Sequence, residues 1–492
     1  MMQKLKEQYR PQFHFSPDEK WMNDPNGMVF FNDEYHLFYQ YNPFDTIWGP
    51  MHWGHAVSKD LIHWEQLPVA LYPDEHGTIF SGSAVVDWQN TSGFFDDDQP
   101  GMVAIYTSND SYPDSNRPRQ RQSLAYSKDN GRTWVKYENN PVLSDQTKTD
   151  FRDPKVFWHD STKKWIMILA TGQSVTIYTS PNLIEWEFAS EFGSNAGSHA
   201  GFWECPDLFP LQVENEENKT KWVMLVSIGD TGTSKEGSRT QYFIGEFDGV
   251  TFFNDHDDET VLWLDYGMDN YAGVSWSDIP CTDGRRIYIG WMSNWRYANH
   301  VPTKDWRGVM TLPREVTLIS RNEGISLFQR PVSEVRLMRR DRIVHHNLIV
   351  ESDKLVSFEM TSPLMEINLE LEQLNTEKFD LIIQYSDLEH MKIQYDVLDE
   401  RLIVDRSNSG EHHFSSSFPV LQEAPLKSKN HRIKLQLFID TSSIEIFANE
   451  GEAAVTSLLF PSEGCKKLLL HPYDGNIKVS TLELTDLDPI WG

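Results

Sequence analysis

Three carboxylates recur beside prolines and aromatic residues. Asp24 lies in Trp21-Met22-Asn23-Asp24-Pro25-Asn26-Gly27, Asp153 in Phe151-Arg152-Asp153-Pro154, and Glu204 in Trp203-Glu204-Cys205-Pro206-Asp207. Each motif leads into two apolar β-runs joined by a polar turn. A protonated acid beside an ionised carboxylate is the equipment of glycosidic bond cleavage. Converging like charges is costly, and a raised pKa that keeps one group protonated relieves it. Asp-Pro and Asn-Asp are also turn formers, and one such motif alone would be read as a turn. Three at the same place in repeated units, each flanked by Trp, Arg or Phe, call for a functional reading. Glu204 is the least turn-like of the three.

The surrounding elements explain how residues so far apart can meet. Residues 28–41 hold two aromatic and β-branched runs around Asn32-Asp33-Glu34, which predicts a hairpin. The segment Trp53 to Trp64 then returns in shape as Leu124 to Trp134, Ile177 to Trp186 and, more loosely, Phe243 to Phe252. Each copy is a strand, a polar turn and an aromatic that begins the next strand. A repeat of roughly 50 to 70 residues with about four strands is the signature of a β-propeller blade. Five units are expected, at about 23–75, 78–140, 150–190, 200–255 and 260–320. Inner strands of a propeller begin around one axis, so Asp24, Asp153 and Glu204 are expected at equivalent positions facing one pocket.

The texture changes near Pro331. Residues 331–340 suit a short helix or turn. Alternating runs follow at Leu355 to Met360, Met365 to Leu369, Arg432 to Ile439 and Ser443 to Phe447. Period-two alternation predicts strands with one buried and one wet face, as in a β-sandwich. The fold class is therefore all-β: a propeller over 10–325 and a sandwich over 345–492.

Composition excludes several functions. A net charge of −29 argues against nucleic acid and against an anionic membrane surface. The apolar runs are too short to span a bilayer. Met1 to Arg10 lacks the apolar core of a signal peptide, so a cytoplasmic location is expected, or a secreted one if the chain is a trimmed mature form. Three scattered cysteines form neither a disulfide framework nor a zinc motif. Cys205 reads as a packing or orienting residue. His52 and His55 would point to opposite faces of a strand and not chelate together. Asp96-Asp97-Asp98 lacks the EF-hand spacing and reads as a solvated loop. No metal site and no cofactor are expected. The 17 tryptophans provide staples for a β-rich fold and flat walls for sugar faces.

The Trp21 to Gly27 motif, Trp53-Gly54-His55-Ala56, Phe80-Ser81-Gly82-Ser83, Arg152-Asp153-Pro154 and Trp203-Glu204-Cys205-Pro206 together resemble glycoside hydrolase family 32, in order along residues 10–320. The segment Glu445 to Pro461 resembles that family's C-terminal sandwich. The resemblance implies a retaining double displacement on β-fructofuranosides, with Asp24 as nucleophile, Glu204 as acid/base and Asp153 as transition-state stabiliser. The two reacting carboxyls should then lie roughly 5–5.5 Å apart. It implies sugar contacts from Asn23, Gln40, Ser81 and Arg152, and a pocket wall of Trp21, Trp48, Phe80, Tyr271, Trp291 and Trp295. The tract Gly290 to Glu315 is most similar to levanases and exo-inulinases, so terminal fructose release from sucrose and β-fructans is expected. Sucrose-6-phosphate hydrolysis and fructosyl transfer are the alternatives. A catalytically silent sugar-binding propeller would lack at least one of the carboxylates, and all three are present. The partner is then an oligosaccharide, and the family analogy allows the sandwich to support the pocket or to mediate a homodimer.

Overall fold

The computed structural model describes residues 7–96, 99–232 and 234–491. Asp97 and Asp98 of the acidic loop lie outside them. Five sheets of four or five strands come first along the chain, followed by two of six. The first five are the blades of a propeller. Their inner strands are Lys20–Phe31, Thr78–Asp87, Arg152–His159, Trp203–Gln212 and Tyr271–Ser275, and each packs beside the next around a common axis.

Local chemistry explains the blade repeat. Phe31 pairs directly with Glu34 across Asn32 and Asp33, whose φ angles are 49° and 62°. That is the two-residue hairpin turn that Asn and Asp tolerate best. The repeated polar turn before each aromatic is also built alike. Asp60 accepts backbone N–H groups from Ile62 and His63, Asp129 from Thr133, Asn182 from Ile184 and Glu185, and Asp248 from Val250 and Thr251. The aromatics that follow pack against the apolar clusters between blades.

The last blade is stitched to the first at two levels. Trp306–Arg307 pairs in parallel with Lys20 and Trp21. Ser277 donates to the Met28 carbonyl at 3.0 Å and accepts from the Phe30 N–H at 2.9 Å. The outer strand of blade five, Gly324–Pro331, runs straight into a 3₁₀ turn at Ser333–Met338, and the first sandwich strand starts at Arg339.

The sandwich encloses its own apolar core. Lys467–Tyr473 alternates half-buried and buried residues. Ser443–Ala448 departs from the expected alternation, because all six of its residues are buried. One face lies in the sandwich core, while Phe447 joins a cluster with propeller residues such as Met310 and Leu312.

Buried ions span that junction. His14 bonds Asp440 Oδ2 through Nδ1 and Glu445 Oε1 through Nε2, both at 2.8 Å. Arg314 donates to Glu445 Oε2 at 3.1 Å from Nε and to Asp265 Oδ2 at 2.9 Å from Nη1. Arg406 of the sandwich donates to Asp269 of the propeller at 2.6 Å. Burial alone lowers the His14 pKa, but the hydrogen bonds and charges of Asp440 and Glu445 outweigh it and raise it to about 9.

Two outcomes follow. Removing Arg314 leaves Asp265 buried without its cation and Glu445 with His14 alone, so Arg314→Ala should cost about 3–5 kcal/mol in denaturant unfolding at pH 7. The raised His14 pKa contributes stability that is complete below about pH 6.5 and lost as pH rises through about 9. Melting temperatures between pH 7 and 10 should show this loss in the native chain and not in His14→Gln.

Candidate active site

Each inner strand breaks register near its start, and Lys20–Phe31 does so again between Asn26 and Val29. Three steps along the inner strand match two on its neighbour, from Met22 to Pro25, Ile79 to Gly82, Arg152 to Lys155, Glu204 to Asp207 and Tyr271 to Val274. These are β-bulges, which bend a strand and re-aim its side chains. They correct the expectation of one equivalent position for the three carboxylates. Glu204 is the last paired residue before its bulge, Asp153 is one residue beyond that point, and Asp24 is two beyond. The stagger still brings them together, because the bulge re-aims residues that a flat strand would send to opposite faces. Asp153 and Cys205 take left-handed backbone to do so, with φ of 61° and 45°. Gly27 is needed for a different reason. Its φ is +58°, and a Cβ there would sit 2.7 Å from the rings of Phe38 and Trp53.

Asp24, Asp153 and Glu204 line one cavity of about 340 Å³, together with Asn23, Gln40, Trp48, Phe80, Ser81, Arg152 and Trp295. Asn23 Nδ2 donates to Asp24 Oδ1 at 2.9 Å, and Ser81 Oγ to Asp24 Oδ2 at 2.9 Å. The Cys205 N–H donates to Asp153 Oδ2 at 3.0 Å, and its Sγ lies 3.6 Å from Asp24 Oδ2 and 3.7 Å from Asp153 Oδ2. Cys205 therefore bridges the two aspartates, an orienting contact. Arg152 donates to Glu204 Oε1 from Nε and Nη2 at 3.2 and 3.1 Å, and its Nη1 reaches Asp150. The Tyr271 hydroxyl donates to Glu204 Oε2. Gln40 is held by the Ile79 carbonyl at 3.0 Å.

Trp21, Tyr271 and Trp291 do not line the cavity. They are at most 1% exposed and stand behind its wall. Trp21 donates its indole N–H to Asn23 Oδ1 at 2.7 Å and stacks on Trp295, which does face the cavity. Two lining residues were missed. Phe202 lies under Arg152, 5.5 Å from the guanidinium carbon, and Asp230 pairs with Arg296 at 3.3 Å. Phe202 directly precedes the Trp203-Glu204 motif, which was signal enough. Asp230 follows the strand Thr220–Ile228, whose end pairs with the start of the inner strand. The turn after that strand thus shares the rim with the carboxylates.

Comparison with known proteins places this architecture. The family model described as glycosyl hydrolases family 32 N-terminal domain matches residues 14–331, and the family 32 C-terminal model matches residues 334–486. The chain belongs to glycosyl hydrolase family 32. It is 50% identical to a levanase of Bacillus subtilis (strain 168) over 490 residues, which is 99% of this chain and 71% of that one. The crystal structure of an exo-inulinase from Aspergillus awamori superposes with a TM-score of 0.89 at 35% identity, covering 99% of both chains. A β-fructofuranosidase from Schwanniomyces occidentalis complexed with fructosyl-erythritol gives 0.88 at 33% identity, covering 99% of this chain and 98% of that one. The resemblance carried by the motifs is thus borne out, and the protein is a glycoside hydrolase.

Electrostatics of this family 32 site follow from its burial. Asp24 is raised to about 6, first by burial and then by the charge of Glu204, against the hydrogen bonds of Asn23 and Ser81. Asp153 is raised to about 7, again first by burial; the Arg152 guanidinium pulls it down and Glu204 pushes it up. Among the described residues no group of three or more His, Cys, Asp or Glu side chains could hold a metal ion, and no helix is long and apolar enough to cross a membrane.

A carboxyl whose pKa is raised in the folded chain favours the fold when protonated, and that contribution is lost as pH rises through the raised value. Replacing Asp24 by Asn removes the desolvated charge, keeps an oxygen acceptor for Asn23 and turns an N–H toward the Ser81 hydroxyl, which can accept it. Asp24→Asn should therefore melt a few degrees higher than the native chain at pH 8, with the difference vanishing near pH 4. Differential scanning calorimetry at the two pH values checks this.

Proposed function

We infer that this glycoside hydrolase is an exo-acting, retaining β-fructofuranosidase that releases terminal fructose from sucrose and from levan- and inulin-type fructans. The observation that carries it is the set of three carboxylates around one 340 Å³ cavity, each held differently. Beneath them only a void of about 10 Å³ remains, so the cavity is closed from below and takes a chain end.

Asp24 is the nucleophile. Its oxygens are fixed by Asn23 and Ser81, and it attacks the anomeric carbon of fructose as the glycosidic C–O bond breaks. Glu204 gives its proton to the leaving oxygen. Water then attacks the fructosyl ester from the vacated side and passes a proton to Glu204, which returns to its starting state as Asp24 is released. Arg152 and Tyr271 orient Glu204. Asp153, steadied by the Cys205 N–H, holds two fructose hydroxyls and stabilises the positive charge of the oxocarbenium-like transition state. Trp48, Phe80 and Trp295 wall the sugar, and Phe202 and Asp230 join them on the leaving-group side.

Sucrose-6-phosphate hydrolysis is less well supported. Arg152 is the only cation among the lining residues, it is already engaged by Glu204 and Asp150, and Asp230 adds negative charge. Fructosyl transfer shares the covalent intermediate and differs in the acceptor. A homodimer through the exposed edge strand Arg339–Val350 and a cytoplasmic location are further proposals, checked by light scattering and by cell fractionation.

The deciding measurement is free fructose from sucrose, 1-kestose, inulin, levan and sucrose 6-phosphate. Release from the first four is expected; none from any of them would sink the assignment, and longer oligosaccharides at high sucrose would reveal transfer. Asp24→Asn and Glu204→Gln should each lose at least about 10³-fold in kcat. The acid limb of kcat/KM should fall as pH drops through about 6, where Asp24 takes up its proton. An acid limb centred near pH 4 would contradict that assignment.

A further inference from the structure

The ring of inner strands has a second end. Around the far ends of those strands lies a cavity of about 660 Å³, about twice the 340 Å³ of the carboxylate site and within the range of cavities that hold sizeable small-molecule ligands. The channel between the two is plugged. Lys155 donates to the Ser275 carbonyl at 2.5 Å and lies 3.4 Å from Asp207, and little open volume remains above that pair. Nothing in the hydrolytic site uses this basal cavity.

Its walls are built in an uncommon way. Trp88 is 59% exposed, yet its indole N–H is tied to Asp278 Oδ1 at 2.8 Å and its ring meets Phe31 at an angle of 66°. Trp158 donates its N–H to Asp160 Oδ1 at 3.2 Å and braces against Trp165. Both indoles are fixed, and both border the cavity. An exposed ring that is pinned loses little freedom when a ligand stacks on it, which favours binding. Arg286 borders the same cavity, held over the Phe209 ring at 5.0 Å. Its Nη1 donates to the Trp276 carbonyl at 3.1 Å, while Nε and Nη2 have no hydrogen-bond partner among the described residues. The hydroxyls of Ser161 and Ser277 and the amide of Gln89 also border the cavity without side-chain partners among the described residues.

Charges of both signs border the cavity. Lys155 and Arg286 stand with Asp87, Asp160 and Asp278, while burial lowers the His159 pKa and leaves its imidazole neutral at pH 7. An anion would meet three carboxylates and a cation would meet the guanidinium. A neutral polyhydroxyl ligand suits both sets of groups, because its apolar ring faces stack on fixed indoles and its hydroxyls satisfy the free donors. We propose that the basal cavity is a non-catalytic binding site for a neutral oligosaccharide. This does not depend on the β-fructofuranosidase assignment.

Isothermal titration of the full chain carrying Asp24→Asn, with nystose and with maltotetraose, tests the proposal. At least one probe is expected to bind the basal cavity, one molecule per chain, besides any taken up at the carboxylate site. Adding Trp88→Ala should remove that molecule. Ser161→Trp, on an exposed turn, fills the cavity without removing a core contact and should give the same loss. With Asp24 restored, Trp88→Ala should leave kcat/KM for sucrose within about twofold and raise KM for levan several-fold. If neither probe has a bound molecule that both substitutions remove, the proposal is overturned. Absence of fructose release from every substrate would defeat the activity assignment and leave the titration outcome standing.

Discussion

Mutual repulsion among three carboxylates in one small, largely desolvated cavity is the constraint around which this molecule is arranged. Asp24, Asp153 and Glu204 share about 340 Å³ with one guanidinium, and Arg152 spends its hydrogen bonds on Glu204 and Asp150. For the two aspartates burial outweighs the donors around them, and both take up protons far more readily than aspartates in water. Such a site destabilises the chain that carries it. The five bulges hold it in place, because each inner strand must break its own ladder to aim a side chain inward. Stitching between blades five and one keeps the ring from opening under that load.

Much of the fold was legible because blades repeat their turn chemistry. The Ser-x-Asp and Ser-x-Asn turns before Trp64, Trp134 and Trp186 cap backbone N–H groups in the same way, so their spacing in the chain is the spacing of blades in space. The hairpin at Asn32-Asp33 was readable for the same reason. Ser443–Ala448 was not, since alternation reports one buried face and this strand has two. Its second face meets the propeller, a contact between segments more than a hundred residues apart along the chain.

At the site, residue types were easier to read than their placement. The carboxylates and their polar neighbours Asn23, Ser81 and Arg152 were visible as motifs. Their stagger across the bulges was not, because a bulge is a fact of pairing between two strands. The family resemblance named Trp21, Tyr271 and Trp291 as wall residues, but a motif does not distinguish the layer that faces a cavity from the layer behind it. Trp21 and Trp291 support Trp295, and Tyr271 holds Glu204. Asp230 escaped notice because it belongs to a rim turn with no repeat of its own.

His14 and its two carboxylate partners also set an order on biogenesis. Asp440 lies 426 residues downstream of His14 and Glu445 slightly farther. While the ribosome is still making the blades, the first of them has emerged with its buried histidine unanchored, and Arg314 appears later, also before its glutamate. Blades can form locally as they are translated, but the segment around His14 can dock only after the sandwich hairpin carrying Glu445 has left the exit tunnel. The nascent chain therefore completes its propeller last at the end that was synthesised first. A stalled or truncated translation product would carry all three cavity carboxylates in a domain that cannot lock.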